Sequence, residues 1–311
     1  MLCIFNNETS RPLSGASTGW WTGQTLISCL KNGPKDFLRW LLKIPGRNAM
    51  EILVCVKRVP DASENEIELN SAGNDIDRDD LVYSVNEWDN YAVEEAIQIV
   101  DKEGGSVTVV TVGDEEAEEV LRREMAMGAN NGLLLDDEAF EDSDGKGIAA
   151  ALAAAVQKGN YDLILTGAQA DDGAGQVGGM LAAMLDMPYA SLVNKIDIGS
   201  GKLTVGREIE GGNQEMNEID TPCVLSIQTG INEPRYVGIR GIRKVASVDI
   251  PTMGASDLGL DAGTVGAAGA KAKRLDYFVP DLGEGAQMLE GSTEEIIEKL
   301  IELLKANGGL K

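Results

Sequence analysis

Gly167-Ala-Gln-Ala-Asp-Asp-Gly-Ala-Gly-Gln176, set between the apolar run Tyr161-Asp-Leu-Ile-Leu-Thr166 and the stretch Val177-Gly-Gly-Met-Leu-Ala-Ala-Met-Leu185, reads as strand, small-residue loop and helix start. A junction of this kind offers bare backbone N–H groups to an anion at the positive end of a helix dipole. It points to an α/β fold that binds an anionic ligand.

Working outward from the loop, short β-rich apolar runs recur at Ile52–Val56, Val107–Val112, Leu133–Leu135 and Leu163–Thr166. Runs without polar alternation suit strands covered on both faces. Between them lie helical stretches at Asp89–Val100, Glu115–Met127, Lys146–Gln157 and Gly175–Leu185. In the first, Glu94, Glu95 and Gln98 interrupt Ala92, Val93, Ala96, Ile97 and Val100 at the spacing of one buried stripe. Strands alternating with such helices predict right-handed βαβ units and a three-layer, Rossmann-like domain around a parallel sheet. Ligands of such sheets gather at the carboxyl ends of the strands. Lys202–Ile209 and Gln214–Ile219 flank Glu210-Gly-Gly-Asn213 as an antiparallel hairpin, and Pro222–Ile227 returns to the sheet.

The chain divides by composition into 1–49, 50–243 and 244–311. The first 49 residues hold two acids and six bases, so the remaining 262 carry a net charge of −28 within a total of −24. Three of the four tryptophans lie in this opening segment, which lacks the order of a signal peptide. It is read as a non-core extension, either an over-long gene start ahead of Met50 or a true targeting or docking segment. At the other end, Gly254–Ala272 is rich in Gly and Ala and reads as a linker or extended arm. Ser292-Thr-Glu-Glu295 resembles a capping box opening an amphipathic helix through Ile296, Ile297, Leu300, Ile301, Leu303 and Leu304.

The acidic excess argues against nucleic acid and anionic membranes as partners, and no run of about 18 apolar residues is present to span a bilayer. An excess of this size suits a salt-rich, halophilic cytoplasm in which screening quiets self-repulsion. Four scattered cysteines (Cys3, Cys29, Cys55, Cys223) and no histidine leave neither a metal-ligand spacing nor the usual catalytic base. A reducing, cytoplasmic setting, no metal and no catalytic residue are the expectation. A nucleotide-hydrolysing enzyme on this fold would need metal-binding acids or a phosphate-gripping lysine, and no lysine lies between Lys158 and Lys195.

From Met50 onward the chain resembles the beta subunit of electron transfer flavoprotein. The matching blocks are Leu53-Val-Cys-Val-Lys-Arg-Val-Pro60, Asn86-Glu-Trp-Asp-Asn-Tyr-Ala-Val-Glu-Glu-Ala96, Ala126-Met-Gly-Ala129, Gly167-Ala-Gln-Ala-Asp-Asp172, Val205-Gly-Arg-Glu-Ile-Glu-Gly-Gly212 and Asn232-Glu-Pro-Arg-Tyr236. In the signature block the family's aliphatic position falls on Met216 or Asn217, with altered spacing to Pro222.

The resemblance implies an adenine nucleotide alpha hydrolase-like fold whose C-terminal arm packs on an alpha subunit bearing the redox-active FAD. It also implies AMP in this subunit in a structural role, or a second FAD there in bifurcating members. The dimer would carry electrons from dehydrogenases, such as acyl-CoA dehydrogenases of fatty acid oxidation, to a quinone oxidoreductase or similar acceptor. By position the nucleotide pocket takes Cys55; Asn86, Glu87, Trp88 and Asp89; Val112; and Gly167, Ala168, Gln169, Ala170, Asp171, Asp172, Gly173, Ala174, Gly175, Gln176 and Val177. Two roles stay open for Asp171 and Asp172, nucleotide contact or capping of the following helix. Two stay open for Trp88, packing beside the alpha-subunit flavin or filling the core. The stretch from Asn232 to Arg243 corresponds to the family's partner-docking loop, with Ile239 as the anchor beside Arg240 and Arg243.

Overall fold

A computed structural model describes residues 49–199, 201–280, 283, 285–286 and 288–310. The opening extension expected over 1–49 lies, but for Ala49, outside the described residues. The described residues form two compact units, one from residues 49–61 with Val82–Lys273, the other from Ala62–Leu81 with the described residues of 274–310.

The first unit is built on a nine-stranded sheet. Its strands are β1 (Met50–Cys55), β4 (Gly105–Val112), β5 (Asn131–Leu135), β6 (Leu163–Gly167), β7 (Tyr189–Ile198), β8 (Lys202–Ile209), β9 (Asn213–Asp220), β10 (Cys223–Ile227) and β11 (Thr252–Met253), in the order β11-β5-β4-β1-β6-β10-β7-β8-β9. Pairing from β11 to β7 is parallel, and β7-β8-β9 is antiparallel. Two three-residue strands, β2 (Arg58–Pro60) and β3 (Tyr83–Val85), form a separate antiparallel pair.

Helices α1 (Glu87–Glu103) and α2 (Glu118–Met127) cover one face; α3 (Gly145–Lys158) and α4 (Val177–Leu185) cover the other. Neighbouring β1 residues face opposite layers. Ile52 and Val54 pack with Ala92, Val93, Ala96 and Leu121, while Leu53 and Cys55 pack with Ala149, Leu152 and Leu181. That division explains why the central strands lack polar alternation. The three-layer α/β architecture and the hairpin of β8 and β9 agree with the sequence reading.

Three segments differ from expectation. β7 was not anticipated, because Asn194, Lys195 and Asp197 dilute its pattern; tertiary pairing with β10 and β8 makes it a strand. The stretch expected as a docking loop closes at its end into a short helix, α5 (Ile239–Val245). Gly254–Ala272, expected as a linker, instead folds into α6 (Ala255–Leu258), a 3-10 turn and α7 (Gly266–Gly269), with Ala255, Leu258 and Val265 buried in the second core layer. Its small residues permit close approach: a Cβ on Gly269 would lie 2.3 Å from the Thr264 carbonyl carbon.

In the second unit, Leu69 and Ile76 form an antiparallel bridge, Arg78 and Arg274 both reach Asp75, and Tyr277 N–H donates to the Gly73 carbonyl. The terminal helix α8 (Thr293–Ala306) has the expected capping box between Ser292 and Glu295. Among the described residues no helix is long and apolar enough to cross a membrane.

Candidate functional site

The connection after β1 leads through α1 to β4 on one side, and the connection after β6 leads through α4 to the other. Neighbouring strands with diverging connections leave a crevice at their carboxyl ends. Asp89, in the first turn of α1, spans it: Oδ2 accepts from Lys57 N–H at 2.8 Å and Oδ1 from Gly167 N–H at 2.9 Å. Burial pushes its carboxyl up to about 7, against the opposing pull of the Gly167 bond, Asn86 and Lys57. The fit at Gly167 is tight, since a Cβ there would stand 2.4 Å from Asp89 Oδ1 and 2.7 Å from Trp88 Cβ. Half-buried Trp88 therefore abuts the end of β6.

Asn86, the residue before α1, is 1% exposed and its Nδ2 donates to the Gln169 carbonyl at 2.9 Å. Its Oδ1 is buried and has no partner among the described residues. An orphaned acceptor of this kind costs about 1–3 kcal/mol unless something donates to it. Across the crevice, α4 starts with no side-chain cap, which leaves its first backbone N–H groups as free donors. Gly178 seats that first turn: a Cβ there would lie 2.3 Å from Ser226 Oγ and 2.9 Å from Thr166 Oγ1. Those hydroxyls bond each other at 2.8 Å, and Tyr189 joins Ser226 at 2.9 Å.

Asp171 and Asp172 do not cap α4. Asp172 pairs instead with Lys57 Nζ at 2.5 Å, so the lysine absent from the loop's own sequence arrives from the end of β1. Lys57 was passed over in the sequence reading. The signal was present in the run Cys55-Val-Lys57, but only the adjacency of β1 and β6 brings it to residue 172.

Of the expected pocket residues, the structure gathers Asn86, Trp88, Asp89, Gly167 and Gln169 around the ends of β1 and β6. Cys55 ends β1, and burial with Asp89 nearby pushes its thiol far above the ordinary range, which makes it packing and not a nucleophile. Val112 is half-buried at the end of β4. Glu87 is exposed, as are Asp171, Asp172, Gly173, Ala174, Gly175 and Gln176, whereas Ala168, Ala170 and Val177 are half-buried. Ile239, Arg240 and Arg243 stand elsewhere, on α5, which packs on α2 so closely that a Cβ on Gly241 would meet the Ala126 carbonyl oxygen at 2.5 Å. Among the described residues no acid and cysteine cluster could hold a metal ion.

The arrangement suits an anion at the start of α4 with a polar, hydrogen-bonding edge at Asn86. Comparison with known proteins identifies the family. A family model described as the electron transfer flavoprotein domain matches residues 74–258. The chain is 36% identical over 260 residues to the electron transfer flavoprotein subunit beta of Methylophilus methylotrophus, covering 82% of this chain and 98% of that protein. It is 34% identical over 259 residues to the protein of the same name from Bacillus subtilis, covering 83% and 98%. It is also 35% identical over 260 residues to the caffeyl-CoA reductase-Etf complex subunit CarD of Acetobacterium woodii, covering 82% and 98%.

Proposed function

The chain belongs to the electron transfer flavoprotein family as a beta subunit, and on that premise we propose that it is an electron-carrier subunit whose crevice holds AMP as a structural ligand. The observation that carries the reading is the pairing of an uncapped α4 start with the orphaned Asn86 Oδ1 on the opposite wall. The free N–H groups of α4 take the phosphate, and Asn86 accepts from the adenine or ribose. Lys57 neutralises Asp172, which offsets one of the two loop carboxylates that would repel a phosphate.

The chain pairs with an alpha subunit whose FAD supplies the redox chemistry. Trp88 faces that flavin, and α8, exposed along Ile297, Leu300, Ile301 and Leu304, covers apolar surface on the alpha subunit. The docking element presents Ile239 to dehydrogenases, with a quinone oxidoreductase or similar acceptor downstream. The setting is a salt-rich cytoplasm.

A second reading places FAD in the same crevice, as in electron-bifurcating carriers. Its support is the likeness to a subunit named for a reductase-Etf complex, beside a mostly exposed loop at Gln169–Gln176. Mass analysis of the small molecules released by denaturing the purified heterodimer tests both. AMP with one FAD per dimer supports the first reading, two FAD the second, and release of no adenine nucleotide beyond the alpha-subunit FAD overturns both.

A further inference from the structure

Helix α1 bears two separate sets of contacts. Its start meets the crevice through Asn86 and Asp89. One turn further on, Glu94 and Glu95, both buried, grip the segment 232–235 that leads into α5. Arg235 Nε donates to Glu94 Oε2 at 2.8 Å and its Nη2 to Oε1 at 3.1 Å, a bidentate pair to which the Arg235 backbone N–H adds a third bond at 3.2 Å. Asn232 Nδ2 donates to Glu95 Oε2 at 3.0 Å and to the Tyr91 carbonyl at 3.1 Å. Burial alone would raise the Glu94 carboxyl, but the Arg235 guanidinium overrides it and holds the group below its ordinary range.

Directly beyond this clamp the chain turns outward, with Tyr236 93%, Ile239 68% and Ile242 52% exposed. Arg122 holds the far end of α5 by donating from Nη1 to the Val245 carbonyl at 2.6 Å. A seven-residue helix does not hold its own shape in water. An apolar anchor on it is pre-ordered only if both ends are tied, and here the entry is tied by charge-assisted bonds to a buried carboxylate. An untied element would pay its ordering cost at each encounter, which weakens association and leaves later steps alone.

We propose that Glu94 and Glu95 are positioning residues of the docking element: by clamping Arg235 and Asn232 to α1 they set where Tyr236, Ile239 and Ile242 stand. The inference rests on the docking reading of Ile239 given above. It places one rigid helix between the nucleotide crevice and the partner surface, so both are registered to the same scaffold.

The test uses the purified heterodimer with Glu94→Gln and, as a milder second variant, Asn232→Ala. Amide exchange at Gly241 and Ile242, whose N–H groups donate to the Gly238 carbonyl, should accelerate about tenfold, the size of one lost charge-assisted bond. Exchange within α4 and the nucleotide content should not change. With an acyl-CoA dehydrogenase as electron donor, the KM for the carrier should rise several-fold at unchanged kcat, as it should for Ile239→Ala. Unaltered exchange in both variants overturns the proposal, and so does faster exchange with an unaltered KM while Ile239→Ala raises it. No effect of Ile239→Ala on KM overturns the docking reading itself, and the positioning role falls with it.

Discussion

Glu124 on α2 is fully enclosed, and neither of its carboxylate oxygens has a partner among the described residues. Burial pushes it up to about 8; Arg123 opposes the shift, while Asp89 and Glu94 add to it. Asp89, at about 7, behaves alike for the same leading reason. Both groups bind their proton more tightly in the folded chain than in the unfolded one. Their contribution to stability is therefore complete below about pH 4 and is lost as the pH rises through about 7 and about 8. Denaturant unfolding should show the wild type weakening between pH 5 and pH 9. Glu124→Met should flatten that slope and be more stable than wild type at pH 9 by about 1–3 kcal/mol, since it removes an unpaired buried carboxylate. At Gly167 the expected effect has the opposite sign. Gly167→Ala forces a Cβ onto Asp89 and should cost about 1–3 kcal/mol, read as a lower denaturation midpoint together with loss of bound nucleotide. The importance of Gly167 was legible from its place in a strand-to-loop junction. The burial of Glu124 was not, because a glutamate in Arg122-Arg-Glu-Met125 reads as a solvated helix face.

At the scale of elements, the loop after β6 and the turn after β1 work as a pair through Lys57 and Asp172. Both side chains are partly exposed, so the bridge itself contributes little, about 0.2–1 kcal/mol. Its effect falls on the ligand. Lys57→Met should leave the denaturation midpoint within that range, yet release the nucleotide faster on dialysis at low ionic strength, where the uncovered carboxylate is least screened. At α8, Ser292 Oγ accepts from Glu295 N–H at 3.3 Å while Glu295 Oε2 accepts from Ser292 N–H at 2.8 Å. Ser292→Ala should cost the helix about 1 kcal/mol and speed amide exchange in its first turn. That cap was plain in the sequence because it is local. The packing of Gly254–Ala272 was not, since a stretch poor in large apolar residues shows no periodicity even when its few, Leu258 and Val265 among them, are buried.

Over the whole molecule, an excess of 24 negative charges spread on 311 residues makes self-repulsion a long-range term. The melting temperature should rise as KCl is increased from millimolar to molar, steeply at first as the Debye length shortens. A melting temperature indifferent to salt would remove the halophilic setting from the proposal. Much of the architecture follows from local chemistry alone. Uninterrupted apolar runs require a sheet covered on both faces, helical stripes between them require parallel crossovers, and a small-residue loop after a strand requires an open helix start. These depend on neighbours within a few residues, so the chain's order of amino acids determined them. What only the tertiary structure decided involves residues far apart in sequence: Lys57 meeting Asp172, Asp89 bridging residues 57 and 167, Arg235 returning to Glu94, and Glu124 buried without a partner among the described residues. The reason is physical. Backbone propensity and periodicity act along the chain, whereas burial, desolvation and charge pairing exist only once strand order has set which distant residues share a wall.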